Sequence, residues 1–136
     1  MDKEIINLLP HQKPFRFIDD IISYKPNHSL KAMYCPSSIE KKIKTRDVPV
    51  TILIEGLAQT AILYTQLETE PLKENDVPML GSVEYEIFKS FEWGRSVTYV
   101  VMPIRLLKNQ AIIKGEITVD NVLCATANLS VAVSSK

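Results

Sequence analysis

The segment that most narrows the folding options runs from Val50 to about Glu68. Its apolar residues fall at Ile52, Leu53, Ile54, Leu57, Ala58, Ala61, Ile62, Leu63 and Tyr64. That is the recurrence of a helix, and it leaves almost no polar face. A helix apolar on nearly every side must be wrapped by other structure rather than lie half in water. Pro49 stands where a first-turn proline belongs, because its missing N–H would have no intrahelical partner there. Glu55, Gly56 and Gln59 interrupt the apolar run. A charge and an amide in lipid are costly, so the segment reads as a core helix and not a membrane span.

The rest of the chain reads as β-structure. Phe15 to Tyr24 and Ser29 to Cys35 form a short hairpin around the turn Lys25-Pro-Asn-His28, where Pro26 fixes φ and Asn27 tolerates a left-handed conformation. Ser37 to Asp47 is a polar loop holding Lys41, Lys42, Lys44 and Arg46, and Glu70 to Asp76 is a charged linker. Gly81 to Phe88, Ser96 to Leu107, Ala111 to Asp120 and Val122 to Val133 are strands, rich in β-branched residues and separated by the turn signals Lys108-Asn109-Gln110 and Asp120-Asn121. One enclosed helix among antiparallel strands predicts an α+β fold with the sheet curled around the helix. A length of 136 residues predicts one domain, residues 1–136.

Sixteen basic residues balance sixteen acidic ones, so the chain as a whole has no electrostatic footprint for nucleic acid. A chain so balanced is compatible with an oligomer. The N-terminal MDKEIINLLPHQ has no long apolar run and does not resemble a secretory signal. With that reading, Cys35 and Cys124 are expected to be free thiols in a reducing cytoplasm. There is no CxxC or HExxH pattern and the only histidines are His11 and His28, so no metal site is expected. His11 reads as a structural hydrogen-bonder and His28 as a solvated turn residue. The absence of G-x-S-x-G, P-loop and G-x-G-x-x-G patterns removes serine hydrolase, nucleotide and dinucleotide readings.

Three segments carry a resemblance. Leu8-Leu9-Pro10-His11-Gln12-Lys13-Pro14-Phe15, followed by Phe17-Ile18-Asp19, is similar to an LPHR-P-F-x-x-x-D stretch. Ile54-Glu55-Gly56-Leu57-Ala58-Gln59 is similar to a helix motif I-E-x-x-A-Q, and Gly81 to Glu84 with Ile112 to Val133 is similar to the closing strands. In this order they resemble the β-hydroxyacyl-acyl carrier protein dehydratases of the hotdog fold. The resemblance implies a hotdog sheet around one long central helix, side-by-side dimers, and a 3-hydroxyacyl thioester on the phosphopantetheine arm of an acyl carrier protein. It implies no further cofactor. The departure from the family pattern lies just ahead of the helix. Active members carry G-H-F-P-G-x-P-x-x-P-G there, with the histidine as base. This chain has Glu40-Lys-Lys-Ile-Lys-Thr-Arg-Asp-Val-Pro-Val50, with Lys41 in the histidine's place. A histidine-lacking form of this kind also resembles the dehydratase-like subunits of aryl-polyene-type pathways.

Dehydration of a 3-hydroxyacyl thioester needs a base for the α-proton, an acid for the leaving hydroxyl, and N–H groups facing the thioester oxygen. Glu55, one turn into an apolar helix, is the candidate acid, with a buried and satisfied structural carboxyl as its competing reading. The helix start at Val50 and Thr51 is the candidate oxyanion site. Gln59, at i+4 from Glu55, shares its helix face and is a candidate substrate-binding residue and hydrogen-bond partner. No base is present, which leads to the expectation of a non-autonomous subunit paired with a second hotdog chain that lends its histidine. A non-catalytic acyl-chain holder or scaffold and a hotdog thioesterase are the alternatives. The basic loop is a candidate docking surface for an acidic carrier protein or simply solvated. Trp93, Phe88 and Phe91 are candidates for an acyl tunnel or for packing at the sheet edge.

Overall fold

The structure is a computed structural model that describes residues 5–10, 15–43, 45–107 and 109–135. Helix α1 (Val50–Glu68) spans the segment read as enclosed, and thirteen of its nineteen residues are buried. Six strands surround it: β1 (Asp20–Lys25), β2 (Ser29–Tyr34), β3 (Asp76–Ile87), β4 (Val97–Leu107), β5 (Gln110–Val119) and β6 (Val122–Ser135). They form one sheet in the order β1-β2-β4-β5-β6-β3, and every neighbouring pair is antiparallel. This is the hotdog arrangement that the resemblance implied.

Alternation decides which residues meet the helix. Leu30 and Ala32 of β2, Tyr99 and Val101 of β4, Ile113 and Ile117 of β5, and Leu129 and Val131 of β6 point inward and are buried with Leu53, Leu57, Ala61 and Tyr64 of α1. Burying each large side chain contributes about 1.5–3 kcal/mol relative to exposure. The helix is 72% buried over its most apolar window, so its hydrophobicity is spent on this core. Close approach is set by two glycines. A Cβ at Gly115 of β5 would come within 2.7 Å of Leu57, and one at Gly56 of α1 within 2.2 Å of the Tyr99 hydroxyl.

Strand limits differ from the sequence reading by more than two residues at two places. β1 begins at Asp20, because Phe15 and Phe17 give their backbone groups to a helix side chain rather than to a neighbouring strand. β3 begins at Asp76, five residues before Gly81, with Val77, Pro78, Met79 and Leu80 paired to β6. Pro78 disguised that extension. It is tolerated because β3 is an edge strand, where one missing donor need not break a ladder. The β5–β6 connection uses Asp120 and Asn121 at φ 51° and 66°, the left-handed pair that a two-residue hairpin requires. Cys35 and Cys124 are both free thiols.

Candidate functional site

The face of α1 turned away from the sheet carries Glu55, Gln59 and Gln66. Gln59 is fully buried. Its side-chain oxygen accepts the Phe17 N–H at 2.8 Å, and its amide nitrogen donates to the Phe15 carbonyl at 2.8 Å. Farther along, the Gln66 amide donates to the Leu8 carbonyl at 2.9 Å. These two carboxamides bind main-chain groups of the N-terminal segment, at Phe15 and Phe17 for Gln59 and at Leu8 for Gln66. Gln59 thus holds the segment against the helix, using atoms that sequence spacing had offered to Glu55. His11 lies outside the described residues.

Glu55 is half-buried, one turn before Gln59 on the same face. The helix start that precedes it is fixed from below. Val48 N–H donates to the Phe91 carbonyl at 2.9 Å, and Trp93 Nε1 donates to the Thr45 carbonyl at 2.9 Å. Phe91 and Trp93 are buried in this packing, whereas Phe88 is exposed. The Trp93 indole and the Phe91 main-chain carbonyl therefore anchor the loop that feeds the helix. Pro49 is the N-cap and offers no capping side chain. Val50 is half-buried and Thr51 exposed, so the first-turn N–H groups, which a helix leaves without intrahelical partners, lie at the solvent-facing end. Lys41, Lys42 and Arg46 are exposed on the loop just before them, and Lys44 lies outside the described residues.

A second polar cluster occupies the far end of the helix. The Tyr64 hydroxyl donates to Glu68 Oε1 at 2.7 Å and the Tyr24 hydroxyl to Glu68 Oε2 at 3.1 Å, while the Asn27 N–H also donates to this carboxylate. Burial, then the bond to Glu68 and its charge, pushes the Tyr24 phenol up to about 12 and drives Tyr64 higher still. His28 belongs to that same turn, is exposed, and faces the Ser29 hydroxyl at 3.2 Å. Thirteen helical residues separate Glu68 from Glu55, about 20 Å along the axis. The His28 turn and Glu55 therefore lie about 20 Å apart along α1.

Against Gly56 lies Tyr99, whose hydroxyl is buried with no hydrogen-bond partner among the described residues. Burial drives its phenol well above the usual range, and Tyr34 and Asp19 add to the shift. Sequence reasoning passed over Tyr99 and Glu68. The only signal for Tyr99 was its inward place in the β4 alternation.

On the sheet side, Leu80, Val83, Tyr85 and Ile87 of β3 stand in register with inward-facing Val131, Leu129, Ala127 and Ala125. Unlike those partners, Leu80, Tyr85 and Ile87 are exposed. The helix leaves this edge of the concave face open. A cleft of about 210 Å³ lies elsewhere, between Phe91, Arg95, Asp120 and Cys124, and none of Val50, Thr51, Glu55 or Gln59 lines it. Among the described residues no group of three His, Cys, Asp or Glu side chains could hold a metal.

The site thus offers a carboxyl on an apolar helix, an open helix start and an uncovered apolar strip. The chain is 27% identical over 137 residues to the 3-hydroxyacyl-[acyl-carrier-protein] dehydratase FabZ of Petrotoga mobilis, covering 96% of each. It is 30% identical to the FabZ of Polynucleobacter asymbioticus, covering 98% of this chain and 92% of that protein. Among solved structures, it superposes on the dehydratase heterocomplex ApeI:P from Xenorhabdus doucetiae with a TM-score of 0.81 at 14% identity, covering 97% and 91% of the two chains. A thioesterase from Haemophilus influenzae shares the fold at a TM-score of 0.66 and 16% identity, covering 85% and 78%. Residues 3–136 match the ApeP-like family, described as ApeP dehydratase. The chain belongs to that family of dehydratases and has the hotdog fold.

Proposed function

We propose that this chain is the non-autonomous half of a 3-hydroxyacyl-acyl carrier protein dehydratase of polyene or fatty-acid-type biosynthesis, acting in the cytoplasm. In this reading Glu55 supplies the acid, and a second hotdog chain supplies the histidine base. The observation that carries it is positional. The loop from Glu40 to Val50 has no histidine, and His28 sits at the opposite end of α1 from Glu55.

The chemistry follows from charge flow. The partner's imidazole removes the α-proton, whose electron pair becomes the C2–C3 double bond as the C3–O bond breaks. The departing hydroxyl takes the Glu55 proton and leaves as water, and the imidazolium proton then resets the carboxylate. Charge gathers meanwhile on the thioester oxygen, and in this reading the N–H groups at Val50 and Thr51, together with the positive end of the helix dipole, receive it. Gln59 serves by holding the Phe15–Phe17 segment over the Glu55 face. The substrate rides on the phosphopantetheine arm of an acyl carrier protein, and Lys41, Lys42 and Arg46 supply positive charge for that acidic partner.

Reconstitution tests the proposal. The purified chain alone should give no turnover of a 3-hydroxyacyl-carrier-protein thioester, and adding a histidine-bearing hotdog partner should restore it. Dehydration by the isolated chain would refute the composite site. Release of free thiol by the isolated chain would identify a thioesterase instead.

A further inference from the structure

The segment clasped by Gln59 carries an arginine at its centre. Arg16 sits between Phe15, whose carbonyl accepts from the Gln59 amide, and Phe17, whose N–H donates to it, each at 2.8 Å. Gln59 itself is fully buried. The Phe17 carbonyl in turn lies 2.8 Å from where a Cβ of Gly56 would stand. The backbone on both sides of Arg16 is thus pinned to the stretch of α1 that begins at Glu55 and ends at Gln59.

The arginine is half-buried. Its Nε is closed off from solvent and has no hydrogen-bond partner among the described residues. A buried donor left unpaired is costly, and more so in a charged group. The Tyr99 hydroxyl shares that condition, but only Arg16 also bears a charge. Geometry sets what the group would take. Nε–H and one Nη–H point the same way along an edge of the planar guanidinium, and that edge matches two oxygens of one phosphate or carboxylate. Phe15 beside it is 70% exposed, which puts this position at the water boundary. In the dehydratase reading the substrate carries one permanent anion, the phosphodiester of its phosphopantetheine arm, which stays toward water while the thioester enters the site.

We infer that Arg16 is a phosphate-binding residue that holds the substrate's arm side-on through its Nε edge. This rests on the dehydratase reading and adds to it a residue that discriminates between substrates.

The test compares wild type, Arg16→Gln and Arg16→Lys in the reconstituted two-chain enzyme. Two substrates are used, a 3-hydroxyacyl thioester of phosphopantetheine and the same thioester of pantetheine, which lacks the phosphate. Arg16→Gln should raise KM for the first about 10–100-fold with kcat unchanged. KM for the second should stay at the wild-type value. Arg16→Lys should recover only part of the loss, because an ammonium keeps the charge without the planar edge. An equal rise for both substrates, or no rise for either, would overturn the inference.

A second measurement needs no turnover. Phosphopantetheine added to the isolated full chain should shift the Arg16 Nε–H proton resonance, pantetheine should not, and inorganic phosphate should do so only at higher concentration. Equal potency of inorganic phosphate would overturn the arm as the source of the phosphate. An Nε–H unmoved by either phosphate would overturn the site itself, whatever the reconstitution assay shows. Phosphate binding without partner-dependent turnover would fault the dehydratase reading alone.

Discussion

Gly56 of the helix and Tyr99 of β4 are fitted to one another: a Cβ at position 56 would lie 2.2 Å from the Tyr99 hydroxyl and 2.8 Å from the Phe17 carbonyl. The helix can approach the sheet and the N-terminal segment together only because residue 56 has no side chain. Gly56→Ala should therefore destabilise the fold by about 1–3 kcal/mol despite alanine's better helix propensity. Urea denaturation would measure it, and an unchanged or raised midpoint would contradict the packing.

Tyr99→Phe removes a buried hydroxyl that has no partner. Deleting such a group should be neutral or stabilising, by up to about 1 kcal/mol. The same change removes the nearest atom to a Cβ at position 56. The double variant Gly56→Ala/Tyr99→Phe should accordingly be more stable than the two single changes sum to. Strict additivity would separate the two residues.

Gln59→Leu should loosen the N-terminal segment. The Phe17 N–H and the Phe15 carbonyl would both lose their partner, at a cost of about 1–3 kcal/mol. Amide hydrogen exchange at Phe17 should accelerate more than exchange in the core strands. Uniform acceleration across the chain would contradict a local clasp.

Alkaline pH tests the Glu68 cluster. The Tyr24 phenol is raised to about 12 in the fold, against about 10 unfolded, so between those values the folded state holds more protons. The stability contributed by this phenol is thus fully present below pH 10 and is lost as pH rises through 12. The urea midpoint should fall over that interval in wild type and fall less steeply in Tyr24→Phe/Tyr64→Phe. Equal slopes would contradict the assignment.

The sequence made the helix legible because apolar residues on every side of a 3.6-residue period fit little besides an enclosed helix. Glu55 and Gln59 stood out by contrast with that background. What they touch was not legible. Gln59 is claimed by backbone 42 residues earlier, and Gly56 by a tyrosine of the second long strand, neither of which leaves a local signal. The first half of β3 was hidden for a related reason: an open edge tolerates Pro78, which inside a sheet would argue against a strand. Trp93, a candidate for a tunnel, holds the loop before the helix through its indole, while Phe91 holds it through its main-chain carbonyl and lines the cleft beside Arg95. Their aromatic character was visible from sequence, but the groups they hold were not.

The composite site stands or falls with the turnover number of the reconstituted two-chain enzyme carrying Glu55→Gln in this subunit. The carboxamide keeps the shape and loses the transferable proton, so dehydration should fall by about 10²–10⁴-fold with the complex still assembled, while His11→Asn leaves turnover at the wild-type level. Full activity in Glu55→Gln, or its loss in His11→Asn, would contradict a shared site in which this chain lends only the acid.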